Sequence, residues 1–213
     1  MTATDLGARP RYHHGDLHQA LIAAGLDLAR EGGPDAVVLR EATRRVGVSP
    51  NAAYRHFADR EALLDAVSDA AMGLLGAAID VHFDAIPAGD PKQVACAQLR
   101  AVGTGYVTFA VEHPGLFRTA FFVPSNLERA TSRAKAGPSG RTPFELLSIA
   151  IDGLVASGLM PASRRPNAEF LAWSSVHGFA LLVIDGPLRA LPRDAVDATA
   201  QRVIDMVEAG FTK

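Results

Sequence analysis

The residues best suited to chemistry lie close together between Leu39 and Arg60. Five arginines (Arg40, Arg44, Arg45, Arg55 and Arg60) stand there against only Glu41 and Asp59, a local surplus of three positive charges in a chain of net charge −2. Asn51, Tyr54 and His56 add polar groups within the same stretch. A recognition helix enters the major groove with its first residues toward base edges, while flanking groups hold phosphates, and this mixture of side chains fits that task. The overall charge and a pI near 6.4 argue against a nucleic-acid binder, but the contact surface matters more than the sum. The same pattern also fits a solvated three-helix unit whose arginines only maintain solubility.

The elements that must position these residues can be read from local signals. Leu39, Ala42 and Val46 repeat with helical spacing, leaving Arg40, Arg44 and Arg45 on the remaining surface. Gly47 ends that helix and Val48 plugs the turn. Ser49 caps the next helix and Pro50 begins it. This second helix, expected over residues 50–57, buries Ala53 and Phe57 and exposes Asn51, Ala52 and Arg55. Asp59 caps a third helix whose first apolar residues are Ala62, Leu63 and Leu64. Two helices joined by a short turn containing glycine form a helix-turn-helix.

The run GVSPNAAYRHFADREALL resembles the helix-turn-helix signature of TetR/AcrR-type transcriptional regulators, and the likeness reaches upstream to His14-Gly15-Asp16-Leu17. It covers roughly residues 11–66. The resemblance implies that Tyr54, His56 and Arg60 hold DNA phosphates. It puts the base readers at Arg40 and at the start of the recognition helix, namely Pro50, Asn51, Ala52 and Arg55 behind the Ser49 cap. Pro50 and Ala52 have no hydrogen-bonding side chain, so base readout rests on Asn51, Arg55 and Arg40, with the apolar pair able to touch a thymine methyl.

Outside this region, the chain reads as all-α, with about nine helices and no β alternation or internal repeat. Apolar residues make up 48% and charged residues 21% of the 213, the composition of a globular protein with a substantial core. Residues 1–12 read as a flexible arm, with Arg9 and Arg11 able to reach a minor groove. Residues 13–60 form the DNA-binding unit, and residues 61–213 an effector-binding and dimerisation domain. The first helix is expected over 16–31 and a long one over 59–86, its stripe Leu64, Val67, Ala71, Leu74, Ala78 and Val81. A linker at 87–91 leads to helices at 92–113, 144–159, 168–184 and 194–211, while 124–143 reads as a mobile loop. The polar N-terminus and the short apolar windows point to a cytoplasmic protein without a membrane span.

Cys96 alone permits no intramolecular disulfide or cysteine-built metal site, and His13, His14 and His18 find no further ligands to complete one. No metal or cofactor is expected. The second half resembles a TetR subgroup named for a Trp-His-Gly motif, here Trp173, His177 and Gly178, with Tyr106 to Ala110 and His113 to Phe121 as supporting segments. Helices 92–113, 144–159 and 168–184 are apolar on more than one face. A cavity for a small hydrophobic effector is therefore expected there, lined by Tyr106, Phe109, Phe117, Phe122, Met160, Trp173 and His177, with His177 or Tyr106 as polar anchor. Trp173 and His177 could equally be a packed core pair. Phe170, Leu171, Ser174, Leu181 and Leu182, with Val196, Val203, Ile204, Val207 and Phe211, offer more apolar surface than one domain covers. The resemblance implies that these last two helices form a four-helix bundle with a second copy. The function expected is a homodimeric repressor on palindromic double-stranded DNA, released by its effector. The alternatives are a helical-bundle enzyme, for which the chain has no phosphate loop or catalytic carboxylate pair, and a DNA binder without effector control.

Overall fold

The computed structural model describes residues 14–123 and 127–213, and the basic arm expected at residues 1–12 and His13 lie outside it. Among the described residues every regular element is a helix, without strands. In chain order they are α1 (His14–Gly32), α2 (Leu39–Val46), α3 (Pro50–Ala53), α4 (Arg60–Asp84), α5 (Pro91–Glu112), α6 (Pro114–Phe122), α7 (Leu127–Ala130), α8 (Pro143–Ala156), α9 (Ala168–Ile184) and α10 (Arg193–Thr212), with three 3-10 turns between them.

Helix α4 is the axis of the fold, packing against α1 on one side and against α5, α6 and α8 on the others. Asp59 caps it by accepting the Ala62 N–H at 2.8 Å, which satisfies one of the orphan donors at a helix start. Its buried residues run through Leu64, Val67, Ala71, Leu75, Ile79 and Phe83. Val81, expected on the stripe, is 71% exposed. Buried neighbours on several sides let the apolar set drift around the helix, so a single stripe describes only its first half. Gly25 of α1 lies so near that a methyl there would stand 2.4 Å from Val67 Cγ2. Thus α4 belongs to the core of both halves.

The segment expected as a mobile loop is largely tied down. A 3-10 turn, Arg133–Lys135, packs on α4 where Gly73 and Gly76 leave room for its backbone: a Cβ at Gly73 would meet the Ala136 carbonyl oxygen at 2.9 Å. Arg141 donates to Asp80 at 2.6 Å and to Asp84 at 3.1 Å, and its guanidinium lies 5.3 Å from the centre of the Phe83 ring. Thr142 and Glu145 then close a capping box at the start of α8. Polar composition suggested a loop, but the partners that hold it are some sixty residues away in sequence.

By length and composition, α4 and α5 could each cross a membrane, with longer apolar windows than the sequence reading suggested. Here they are the central helices of the bundle, with Leu75, Ile79, Leu99, Val102 and Val107 buried against their neighbours. Gly105 of α5 sits against the α4 backbone, where a methyl would come 2.8 Å from Ile79 Cα.

Candidate DNA-contacting face and interior cavity

The helix-turn-helix is fixed by its own backbone chemistry. Gly47 adopts φ 75° and ψ 29°, and its N–H and that of Val48 both donate to the Thr43 carbonyl, a left-handed cap that a side chain would strain. Thr43 is buried, its hydroxyl donating to the Arg40 carbonyl at 2.7 Å. Ser49 Oγ accepts the Ala52 N–H at 3.4 Å, and Pro50 opens α3. This helix is shorter than expected: it ends at Ala53, and a turn carries Tyr54 to His56. Ala53 and Phe57 are buried as anticipated, the Phe57 ring stacked on His18 at 4.8 Å.

The arginines of this unit fall into three groups. Arg44 is bound to Glu41 at 2.6 Å, and Arg45 to Glu31 at 2.5 Å. Hydrogen bonding from Arg45 holds the Glu31 carboxyl below the ordinary carboxylate range. Arg60 points back into the protein, donating from Nε to the Val37 carbonyl at 2.9 Å and from Nη2 to the Pro34 carbonyl at 2.8 Å. Two of its donors thus tie the turn ahead of α2 to the start of α4, a structural role beside the phosphate contact expected of it. Arg40 and Arg55 remain exposed, without an ion-pair partner among the described residues. Asn51 and Tyr54 are exposed beside them, while Ala52 and His56 are half-buried. The cationic groups with free forks are therefore the two that lie at the recognition helix and at the first turn of α2.

The second feature is an interior cavity of about 220 Å³. Its walls include Met72 of α4, Tyr106 of α5, Phe121 of α6, Leu147 of α8, Trp173 of α9 and Ile204 of α10. Trp173 Nε1–H donates to Tyr106 Oη at 3.0 Å, and the Tyr106 hydroxyl shares a hydrogen bond of 2.7 Å with His177 Nδ1. Burial lowers the His177 pKa, which favours the neutral ring in this bond. Burial likewise raises the Tyr106 phenol, offset in part by the Trp173 bond. Among the described residues of the lining, Lys135 alone is charged, with Nζ 3.9 Å from Asp69 Oδ1. A second, more open cleft of about 520 Å³ lies behind the Tyr106–Phe121 wall, between Gly33 to Asp35 and Phe117, Arg118, Phe122, His177 and Leu181.

Residues 99–207 match the family model described as the tetracyclin repressor-like C-terminal domain, and residues 21–67 match that of bacterial regulatory proteins, tetR family. The first of these alone spans half the chain. The chain belongs to the TetR family. It is 36% identical over 70 residues to the class A tetracycline repressor protein from transposon 1721 of Escherichia coli, a stretch that spans 33% of this chain and 30% of that repressor. A solved structure of a protein of unknown function from Rhodococcus sp. RHA1 superimposes with a TM-score of 0.73 at 26% identity, covering 96% of this chain and all of that one. A TetR-family transcriptional regulator from Pectobacterium atrosepticum superimposes with a TM-score of 0.69 at 17% identity, over 96% of this chain and 98% of that one. A TetR variant from Acinetobacter baumannii AYE in complex with minocycline superimposes with a TM-score of 0.57 at 22% identity, over 89% and 93% of the two chains.

Of the effector residues expected in this TetR protein, only Tyr106 and Trp173 line the cavity. Phe117, Phe122 and His177 line the second cleft instead, and Phe122 is 49% exposed. Phe109 is buried with its ring 5.3 Å from His113, and Met160 is buried outside the lining. The polar anchors proposed from sequence, Tyr106 and His177, are bonded to one another. Ile204 and Val207, expected at a dimer interface, face the cavity, while Val196 and Phe211 are buried within the chain. Val203 is half-buried. On α9, however, Phe170, Leu171, Ser174, Leu181 and Leu182 are all exposed along one stripe. Periodicity assigned α10 an apolar face correctly, but could not say whether that face met its own chain or a second one.

Proposed function

We propose that this protein is a homodimeric transcriptional repressor that binds a palindromic operator through α3 and releases it when a small hydrophobic effector fills the interior cavity. The observation that carries the reading is that the cavity is built on α4, the same helix that begins under the recognition unit. Met72 of α4 lines it, as does Ala120 of α6, whose carbonyl accepts from Ser68 of α4 at 3.2 Å. The other end of α6 is wedged against the DNA-binding unit: a methyl at Gly115 would come 2.2 Å from the Ala29 carbonyl oxygen. A ligand pushing on Ala120 and Phe121 thus moves a helix already in contact with α1 and α4. It acts by binding the DNA-released arrangement more tightly than the DNA-competent one.

In this reading, Arg40, Asn51 and Arg55 read bases and Tyr54 and His56 hold phosphates, while residues 13–60 are the DNA-binding unit and residues 61–213 serve effector and dimer. The exposed α9 stripe is the dimer face, and the protein works in the cytoplasm. Membership of the Trp-His-Gly subgroup rests on Trp173, His177 and Gly178 and is supported by the Trp173–Tyr106–His177 chain of hydrogen bonds. Selection of bound fragments from random double-stranded DNA tests the proposal. Enrichment of a two-fold symmetric site is expected, and recovery of DNA without any common sequence overturns it.

A further inference from the structure

We propose that the second cleft is a binding site in its own right, and that it takes an organic cation, an ammonium group on an aryl or alkyl body. One wall is the turn ahead of α2, with Pro34 and Asp35, and the facing walls are α6 and α9, with Phe117, Phe121, Phe122 and His177. Its volume of about 520 Å³ lies within the range of small-molecule sites, roughly 300–1,000 Å³. Among the described residues, the cleft and the interior cavity share Phe121 alone, so this inference stands apart from the effector reading. The two walls belong to different parts of the molecule. Arg60 ties the Pro34 carbonyl to the start of α4, whereas α6 and α9 belong to the C-terminal half, and an occupant touches both at once.

The charges around the cleft sort into one that is matched and one that is not. Arg118 lies in the lining, but its Nε and Nη2 are held by the Asp185 carboxylate at 2.8 and 2.7 Å. Asp35 is exposed and makes no hydrogen bond or ion pair among the described residues. His177 adds no positive charge near neutral pH, because burial lowers its pKa below the ordinary 6.5. The charge left unmatched is therefore the Asp35 carboxylate. An exposed carboxylate alone attracts a cation weakly, since water competes for both. The aromatic wall supplies the rest. The Phe117 and Phe121 rings stand 4.9 Å apart, and Phe122 beside them is 49% exposed. Phenyl faces attract a cation, and their carbons also receive its apolar substituents. A neutral ligand gains the second of these contacts without the first, and an anion is repelled by Asp35.

The test uses benzyltrimethylammonium, its neutral near-isostere dimethylbenzylcarbinol and the anion benzylsulfonate, with the full chain and no DNA. Calorimetry is expected to show the cation binding about tenfold more tightly than the carbinol, a difference of about 1.4 kcal/mol, with the sulfonate weakest. Asp35→Asn should bring cation and carbinol to near equality. Phe122→Leu keeps the apolar bulk but removes a ring face, so it should weaken the cation more than the carbinol. Asp194→Asn removes an exposed carboxylate at the start of α10, away from the cleft, and should leave the preference as it was. Thermal melts confirm that each variant is folded. Carbinol or sulfonate matching the cation in the unaltered protein overturns the cationic ligand, and so does the absence of binding by all three. A preference that survives Asp35→Asn, or that falls equally in Asp194→Asn, overturns the cleft as its seat. None of these outcomes decides whether the interior cavity takes an effector.

Discussion

Arg55 and Arg60 are five residues apart and chemically identical, yet the structure gives them opposite work. Arg55 is exposed and unpaired among the described residues, whereas Arg60 holds two backbone carbonyls ahead of α2. Arg55→Ala or Asn51→Ala should therefore relax preference at particular base pairs by about 1–3 kcal/mol without altering stability. Arg60→Ala should instead lower stability by about 1–3 kcal/mol, because both carbonyls lose a charged donor. Operator binding across a set of base-substituted sites, with denaturant unfolding of each variant, separates the two. A stable Arg60→Ala protein with a flatter salt dependence of binding would make Arg60 a phosphate contact rather than a structural tie. His177 makes a second prediction at this scale. It faces Tyr106, Phe117, Phe121 and Trp173, with Asp35 and Arg118 in the adjoining cleft, and burial depresses its pKa below the ordinary 6.5. Below that value the unfolded chain takes up a proton here before the folded one does, so stability falls as pH falls through it and is flat above. His177→Gln should remove this loss, seen as a smaller difference between denaturant midpoints at about pH 8 and about pH 5.5. Equal losses in both proteins would place the titration elsewhere. The charge surplus of the recognition unit was visible in the sequence, but the pairing that decides which charges are free was not: Arg45 meets Glu31, fourteen residues earlier on another helix.

Helix starts and stops were legible where they depend on adjacent residues: Asp59, Gly47 and Ser49-Pro50 each act within four positions. What the sequence could not supply was the use of interior glycines, because a glycine shows nothing of what fills the space beside it. Gly73 and Gly76 accommodate the backbone of residues 136–137 and 141. Gly73→Ala should accordingly unseat the 133–143 segment, since its methyl meets a carbonyl that has no side-chain freedom to give way. Hydrogen exchange should show faster opening across 133–143, with α1–α3 protected as before. Unchanged exchange in that segment would mean the backbone adjusts around the methyl. The same limit applied to the cavity. Tyr106 and Trp173 were recognisable as large side chains on apolar helices, but Lys135 lay in a polar stretch with no periodicity to place it, and Ile204 and Val207 lay on a helix assigned to the partner.

At the scale of the whole molecule, the proposed palindromic operator requires one chain to become a reader of two half-sites. A single α3 of four residues offers few base contacts, and a two-fold pair doubles them and fixes the spacing between recognition helices. Val38, Val81, Phe122, Ile149 and Leu191 are exposed on separate elements, but Phe170, Leu171, Leu181 and Leu182 share one side of α9, with Leu171 at 64% exposure, and Met206 of α10 is exposed as well. Apolar surface grouped in this way marks an association face. Leu171→Glu and Leu182→Glu place a charge on that face without touching the core, so each should give a monomer with unchanged helix content. Specific operator affinity should fall by orders of magnitude, because each half-site must then bind independently. Val207→Glu supplies the contrast. Val207 lines the cavity, so a carboxylate there should disturb ligand binding and stability while leaving the α9 face intact. Sedimentation of the three variants, with operator titrations and thermal melts alongside, distinguishes an α9 interface from one centred on α10. Dimers in both α9 variants, together with a monomer from a well-folded Val207→Glu, would move the interface to α10 and require the cavity wall to open when the two copies meet.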